Sequence, residues 1–245
     1  MIGTIAAREI RSGLVTPLLW VLLGVGQVVL AWIFLQVVED FSALDAGERS
    51  ASLTQELCVN LFGFAAVLAM FAAPLLAMRM LSAEFRDGGY DLLAAAPARL
   101  IEILLGKFIA LAVLITPLCL LPAANLALLS GAATLDLGQV AAATLGLWLA
   151  ALFFGAIGLQ ASSLTEQPGA AVLIAFGLLL LFSIIGRAES LTAQTLSLFG
   201  WLSWNEHLFR FLLGAVRLSD LAYFLFFTGF FLALAHRHLA NRRLQ

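Results

Sequence analysis

Six stretches of this chain are long enough and apolar enough to cross a lipid bilayer, and nothing else in the sequence narrows the fold as much. A hydrocarbon core about 30 Å thick takes roughly 20 residues of helix. Runs of about that length with little or no charge occur at 17–38, 57–78, 108–130, 138–162, 167–186 and 221–239. The last is the shortest and must run past His236. Inside hydrocarbon every backbone N–H and C=O must be paired within its own element, which makes such runs helices. The expected fold is therefore an all-α integral membrane protein, a single six-span domain over residues 1–245. Only 11% of the residues are charged and 62% are hydrophobic, against about 25% charged in a soluble domain. The largest segments between runs reach about thirty residues, enough for short helices but not for an independent core.

The remaining composition excludes several classes. No basic stripe stands outside the membrane flanks, so nucleic acid is not an expected partner. Cys58 and Cys119 both sit inside apolar runs, where a thiol packs as a small hydrophobe. Arg8, Glu9 and Arg11 precede a first run of spanning length, which reads as a retained span rather than a cleaved signal.

Orientation follows from basic residues in the flanks. Six spans put both termini on one side, together with the loop between spans two and three. That side holds Arg8, Arg11, Arg79, Arg86, Arg99, Lys107, Arg237, Arg242 and Arg243, nine of the thirteen basic residues. Arg49, Arg187, Arg210 and Arg217 hold the other. Both termini are expected to be cytoplasmic. The first outer loop, with Glu39, Asp40, Asp45, Glu48 and Glu56, is acidic.

Residues 188–220 are too polar for a span. The pattern Ser203-x-x-Glu206 has capping-box form, and Trp201, Trp204, Leu208, Phe211 and Leu212 recur at helical spacing. Two short helices at the outer interface are expected, with the tryptophans at headgroup depth.

The loop between spans two and three is the most polar feature. Glu84, Arg86, Asp87 and Asp91 give it a charged surface. Gly88 and Gly89 permit a turn with positive φ. Leu92 and Leu93 anchor a short helix that Pro97 ends. A second amphipathic piece, from Arg99 through Glu102 to Gly106 and Lys107, leads into span three. The product is a short rigid element at the cytoplasmic face, which a soluble motor could push.

These motifs resemble the permease subunit of type-2 ABC transporters: Glu84, Arg86, Gly88, Asp91, Leu93 and Pro97, then Gly106-Lys107 entering the next span. The N-terminal Arg8-Glu9-Ile10-Arg11 with Pro17 is similar to that family's amphipathic N-terminal helix. Trp201 through Phe209, followed by Gly214, Leu218, Asp220 and Tyr223, resembles the gliding-motility branch, near permeases for nitrous-oxide-reductase maturation. Phe85 and Gly89 depart from the usual pattern in the turn.

The resemblance implies a homodimer of permeases in an ATP-driven exporter of a bacterial inner membrane. A cytoplasmic ABC ATPase subunit would dock through Arg8, Glu9, Arg11, Glu84, Arg86, Asp87, Gly88, Asp91 and Pro97 of an N-terminal helix and a cytoplasmic coupling helix. Spans two and five would line the central pathway, spans one and five would meet across the dimer, and the outer helices would cap the far end. ATP and magnesium would be bound by the ATPase. This chain has no Gly-x-x-x-x-Gly-Lys-Ser/Thr, and its single lysine, Lys107, precedes Phe108, so it is expected to bind no cofactor and to be no enzyme. A periplasmic auxiliary protein is an optional partner, and membrane lipid an obligatory one. The alternative function is an ATP-driven assembly scaffold that transmits movement to a periplasmic partner without moving a substrate.

Candidate sites within the spans are few. Gln27, Gln36, Asn60, Asn125 and Gln160 read either as bonds between helices or as pathway lining. Asn60, Phe64, Phe71 and Phe176 are the pathway candidates, and Trp201, Trp204 and Glu206 the candidates for a periplasmic gate. No acid or base falls clearly mid-span, which argues against proton coupling. Gly146, Ala151, Gly155 and Gly158 give span four a small-residue face suited to close packing. Pro74, Pro117 and Pro122 are expected to kink spans two and three. Glu206 and His207 point apart on a helix, and His236 and His238 sit among arginines at the boundary, so no metal site is expected.

Overall fold

The computed structural model describes residues 1–43, 51–86, 99–129, 131, 134–185 and 201–242. Among these it is helical with no strand. Eight helices follow one another: α1 (Ile2–Val15), α2 (Pro17–Ala43), α3 (Leu53–Arg86), α4 (Leu100–Ala127), α5 (Leu137–Leu164), α6 (Pro168–Ile185), α7 (Trp204–Leu212) and α8 (Leu218–Arg242). Six of them, α2 to α6 and α8, are long and apolar enough to span a membrane. Each contains most of one predicted run. Several are longer than the hydropathy suggests, because a helix does not end where its apolar stretch ends.

The extension matters most in α3 and α4. Glu84 and Arg86 do not begin a separate element after the span: they sit in the last turn of the 34-residue α3. Likewise Arg99–Lys107 is not a separate amphipathic piece, since one helix runs from Leu100 to Ala127. Glu102 accepts a hydrogen bond from the Arg99 backbone N–H at 3.1 Å and caps that start. The break between α1 and α2 has a local cause. Thr16 takes extended backbone (φ −74°, ψ 127°) because the ring of Pro17 disfavours the helical state before it, while Pro17 itself suits a first helical position.

The middle of the bundle is α5, the most buried of the six. Its small-residue face packs as expected. A Cβ at Gly158 would lie 2.7 Å from Ala77 Cβ and 3.1 Å from Pro74 Cα, so α3 and α5 meet almost backbone to backbone. At Gly146 the occupant is Phe211 of α7. Around Phe153 an aromatic core gathers Phe182, Tyr223, Phe224, Phe227 and Phe231 from α6 and α8. Within the spans, Gln27 donates to Asn125 Oδ1 at 2.8 Å, tying α2 to α4.

Hydrogen bonds between elements distinguish the two ends. At one end α1 meets the end of α3 and the start of α4 through Lys107, and Arg242 of α8 reaches Glu166 at 3.4 Å and stacks on Phe85 at 4.3 Å. At the other, the Asp136 N–H donates to Thr54 Oγ1, Asn205 donates to Ser183 and α7 lies across the starts of α5 and α8.

Candidate coupling site at the α1 end

The site is built around Lys107. It lies two turns into α4 and its side chain has no solvent exposure. Its ammonium carries three N–H donors, and three acceptors meet them: Glu84 Oε1 at 2.8 Å, Glu9 Oε1 at 3.0 Å and the Met80 carbonyl at 2.6 Å. Arg8 then bridges the same two carboxylates from the outside, at 3.0 Å to Glu9 and 3.1 Å to Glu84. One cation thus fastens α1, α3 and α4 together, and a second closes the cluster toward solvent.

Gly106 makes the close approach possible. A Cβ there would stand 2.9 Å from Ile5 Cγ2 and 3.1 Å from the Ile2 carbonyl. With hydrogen at that position α1 lies flat on α4, which brings Glu9 within reach of the next residue, Lys107. Burial pushes the Glu9 carboxyl up, but Lys107 and Arg8 together outweigh it and hold Glu9 below its usual value of about 4.5. Arg8 is raised above its usual value, chiefly by its hydrogen bond to Glu9.

The sequence named Arg8, Glu9 and Glu84 for this site, and the structure brings those three together. Arg11 is exposed on α1 outside the cluster, and Arg86 is exposed at the end of α3. Asp87, Gly88, Asp91 and Pro97 lie outside the described residues. Lys107, the residue on which the cluster turns, was read from sequence as the end of the Gly106-Lys107 motif entering span three, not as a partner of Glu9 and Glu84. Lys107 is wholly buried near the start of α4, and Asp220 is wholly buried in the first turn of α8.

The pathway candidates occupy one side of α3. Phe64 and Phe71 are about half exposed, and Phe71 packs on Phe176 of α6 with ring centroids 4.8 Å apart. Asn60 turns back on its own helix, donating to the Glu56 carbonyl at 3.0 Å and its carboxylate at 3.3 Å.

At the α7 end the gate candidates part company. Trp201 is half exposed, whereas Trp204 is buried edge-on against Phe154 at 5.0 Å. Ser203 does precede α7, but its hydroxyl makes no capping bond. Glu206 leaves the organising role to its neighbour. His207 Nδ1 is 2.6 Å from Asp220 Oδ1, His207 Nε2 is 2.8 Å from the Trp201 carbonyl, and the imidazole stacks on Tyr223 at 4.0 Å. Arg210 joins the same carboxylate at 2.7 Å, and that bond holds the guanidinium above its usual value. Sequence reasoning passed over this latch because its parts stand thirteen positions apart on two helices.

A match to the family described as ABC-2 family transporter protein covers residues 4–201. The chain belongs to that family. It is a multi-pass membrane protein and the permease component of an ABC transporter, a class that works with a separate ABC ATPase. The matched region takes in α1, the Lys107 cluster and the first five spans, and stops short of α7 and α8. No curated protein matches the chain.

Proposed function

We propose that this chain is the transmembrane subunit of an ATP-driven exporter in a bacterial inner membrane. Two copies form the permease, and each docks a cytoplasmic ABC ATPase at its α1 end. The observation that carries the reading is the buried Lys107 tie. A push on α1, or on the segment that joins α3 to α4, reaches both helices through a shared cation instead of being absorbed at a soft surface. Force applied there passes along α3, whose small-residue contact with α5 at Gly158 moves the middle of the bundle with it. The Phe64, Phe71 and Phe176 side of α3 and α6 then lines the path between copies, and α7, latched by Asp220, covers its far end. The order of motifs around Trp201, Asn205 and Tyr223 supports a place in the gliding-motility and nitrous-oxide-reductase-maturation branch.

A second reading has its own support. Gln27 and Asn125 bond to each other, Asn60 bonds within its helix and Gln160 is buried beside Ser163. Such a bundle has little polar surface for a solute and suits transmission of movement to a periplasmic partner without transport.

The test is the ATPase rate of the complex of this chain with its ATPase, in proteoliposomes. Lys107→Met combined with Glu9→Gln and Glu84→Gln, which leaves no buried charge uncompensated, is expected to leave the complex assembled and to reduce permease-dependent ATP hydrolysis at least tenfold. Unchanged hydrolysis would remove the coupling role of the cluster. Flux of any solute in the same vesicles decides for export over transmission alone.

A further inference from the structure

Beside the ion cluster, α1, the adjoining ends of α2 and α3, and Leu114 of α4 line a half-open cavity of about 350 Å³, within the range of small-ligand sites. Its lining is divided. Arg8, Arg79, Ser12 and Glu84 make one part, and leucines such as Leu75, Leu76 and Leu114 make the other. Arg79 is exposed, and its guanidinium has no hydrogen bond or ion pair with another described residue. Glu84 Oε2, in the wall, is buried and lacks a donor among the described residues. The charges of Arg8, Arg79 and Lys107 against Glu9 and Glu84 leave the site with one net positive charge.

We infer that this cavity is a binding site for an anionic phospholipid, with its phosphodiester on Arg79 and Arg8 and an acyl chain over the leucines. Each part of the wall selects a part of that ligand. Guanidinium is the side chain best matched to phosphate oxygens. A glycerol headgroup supplies the hydroxyl donor that Glu84 Oε2 lacks. The leucine side gives a chain an apolar surface, which a soluble phosphate has no use for. The amphipathic α1 and the transition from charged to apolar residues at Arg79 place the cavity at headgroup level, where acyl chains begin. A lipid seated there would wedge between α1 and α3 beside the Lys107 tie, so membrane composition would set how stiff the tie is. The site requires a membrane-embedded chain and does not depend on the ATPase reading.

Native mass spectrometry of the detergent-purified full chain, titrated with phosphatidylglycerol and with phosphatidylcholine of the same chain length, tests it. The expected result is preferential retention of one phosphatidylglycerol. Arg79→Gln is expected to weaken it about fivefold, the worth of roughly one basic residue at an anionic surface. Arg237→Gln removes an exposed arginine of α8 from the same end but outside the cavity, and is expected to change nothing. Equal binding of the two lipids, or an equal loss in both variants, would overturn the site. Competition by inorganic phosphate or chain-free glycerophosphoglycerol at the same concentration would assign the cavity to a soluble anion and overturn the lipid.

Discussion

Replacing Lys107 with methionine keeps most of the side-chain volume and removes the one cation that three helices share. Breaking a buried ion pair by deleting one partner costs about 3–5 kcal/mol, because the other partner is left buried and uncompensated. Here two carboxylates are left, both within 3.0 Å of the vacated position. They retain 14% and 19% side-chain exposure, and Arg8 still touches both, so the low end, about 3 kcal/mol, applies. For a chain of this size that corresponds to a drop in melting temperature of about 6–12 °C. Differential scanning fluorimetry in detergent measures it. Adding Glu9→Gln and Glu84→Gln to Lys107→Met is expected to recover most of the loss, since neutral groups of similar size replace a buried ionic set at little net cost. A single variant that melts within 1 °C of the parent, or a triple variant no better than the single, would refute a tie made by charge.

Three further outcomes follow from other parts of the bundle. Because Glu9 is held below its usual value of about 4.5, its contribution is complete above that pH and is lost as pH falls through the lower folded-state value; melting temperature should drop as pH falls below about 4.5, with a shallower drop in Lys107→Met. Gly158→Leu puts side-chain atoms into a space where even a Cβ would be 3.1 Å from the α-carbon of Pro74, and overpacking of this kind costs about 1–3 kcal/mol, read as lost monodispersity and a lower melting temperature. Asp220→Asn strips the buried partner from His207 and Arg210; α7 should loosen from α8, with faster limited proteolysis after Arg210 and a red-shifted tryptophan emission from Trp204.

The spans were legible because hydropathy over twenty residues leaves a membrane helix little choice, and the break at Thr16 because proline fixes it. The close contact at Gly158 was legible for a similar reason, since small residues at helical spacing serve one purpose in lipid. Lys107 was not. A lone lysine at the start of an apolar run ordinarily extends its charge to the interface, and nothing local shows that Glu9 and Glu84, 98 and 23 positions away, will meet it first. Glu84 was read as belonging to a loop because charge was taken as the end of a helix, whereas α3 continues through it. The latch at Asp220 was hidden in the same way: Glu206, the more conspicuous acid beside His207, is exposed while His207 is buried. Ion pairs between distant helices are tertiary facts, and the local pattern carries only their halves.

The central claim is that a separate ATPase drives this chain through its α1 end. Site-specific photo-crosslinking in native membranes tests it most directly, with the probe at Arg11 and Arg86 at one end and at Glu39 and Asp40 at the other. The account predicts covalent capture of a cytoplasmic ABC ATPase from Arg11 and Arg86, and none from Glu39 or Asp40. Capture of the ATPase from the Glu39 and Asp40 end, or its absence at both ends, would contradict it.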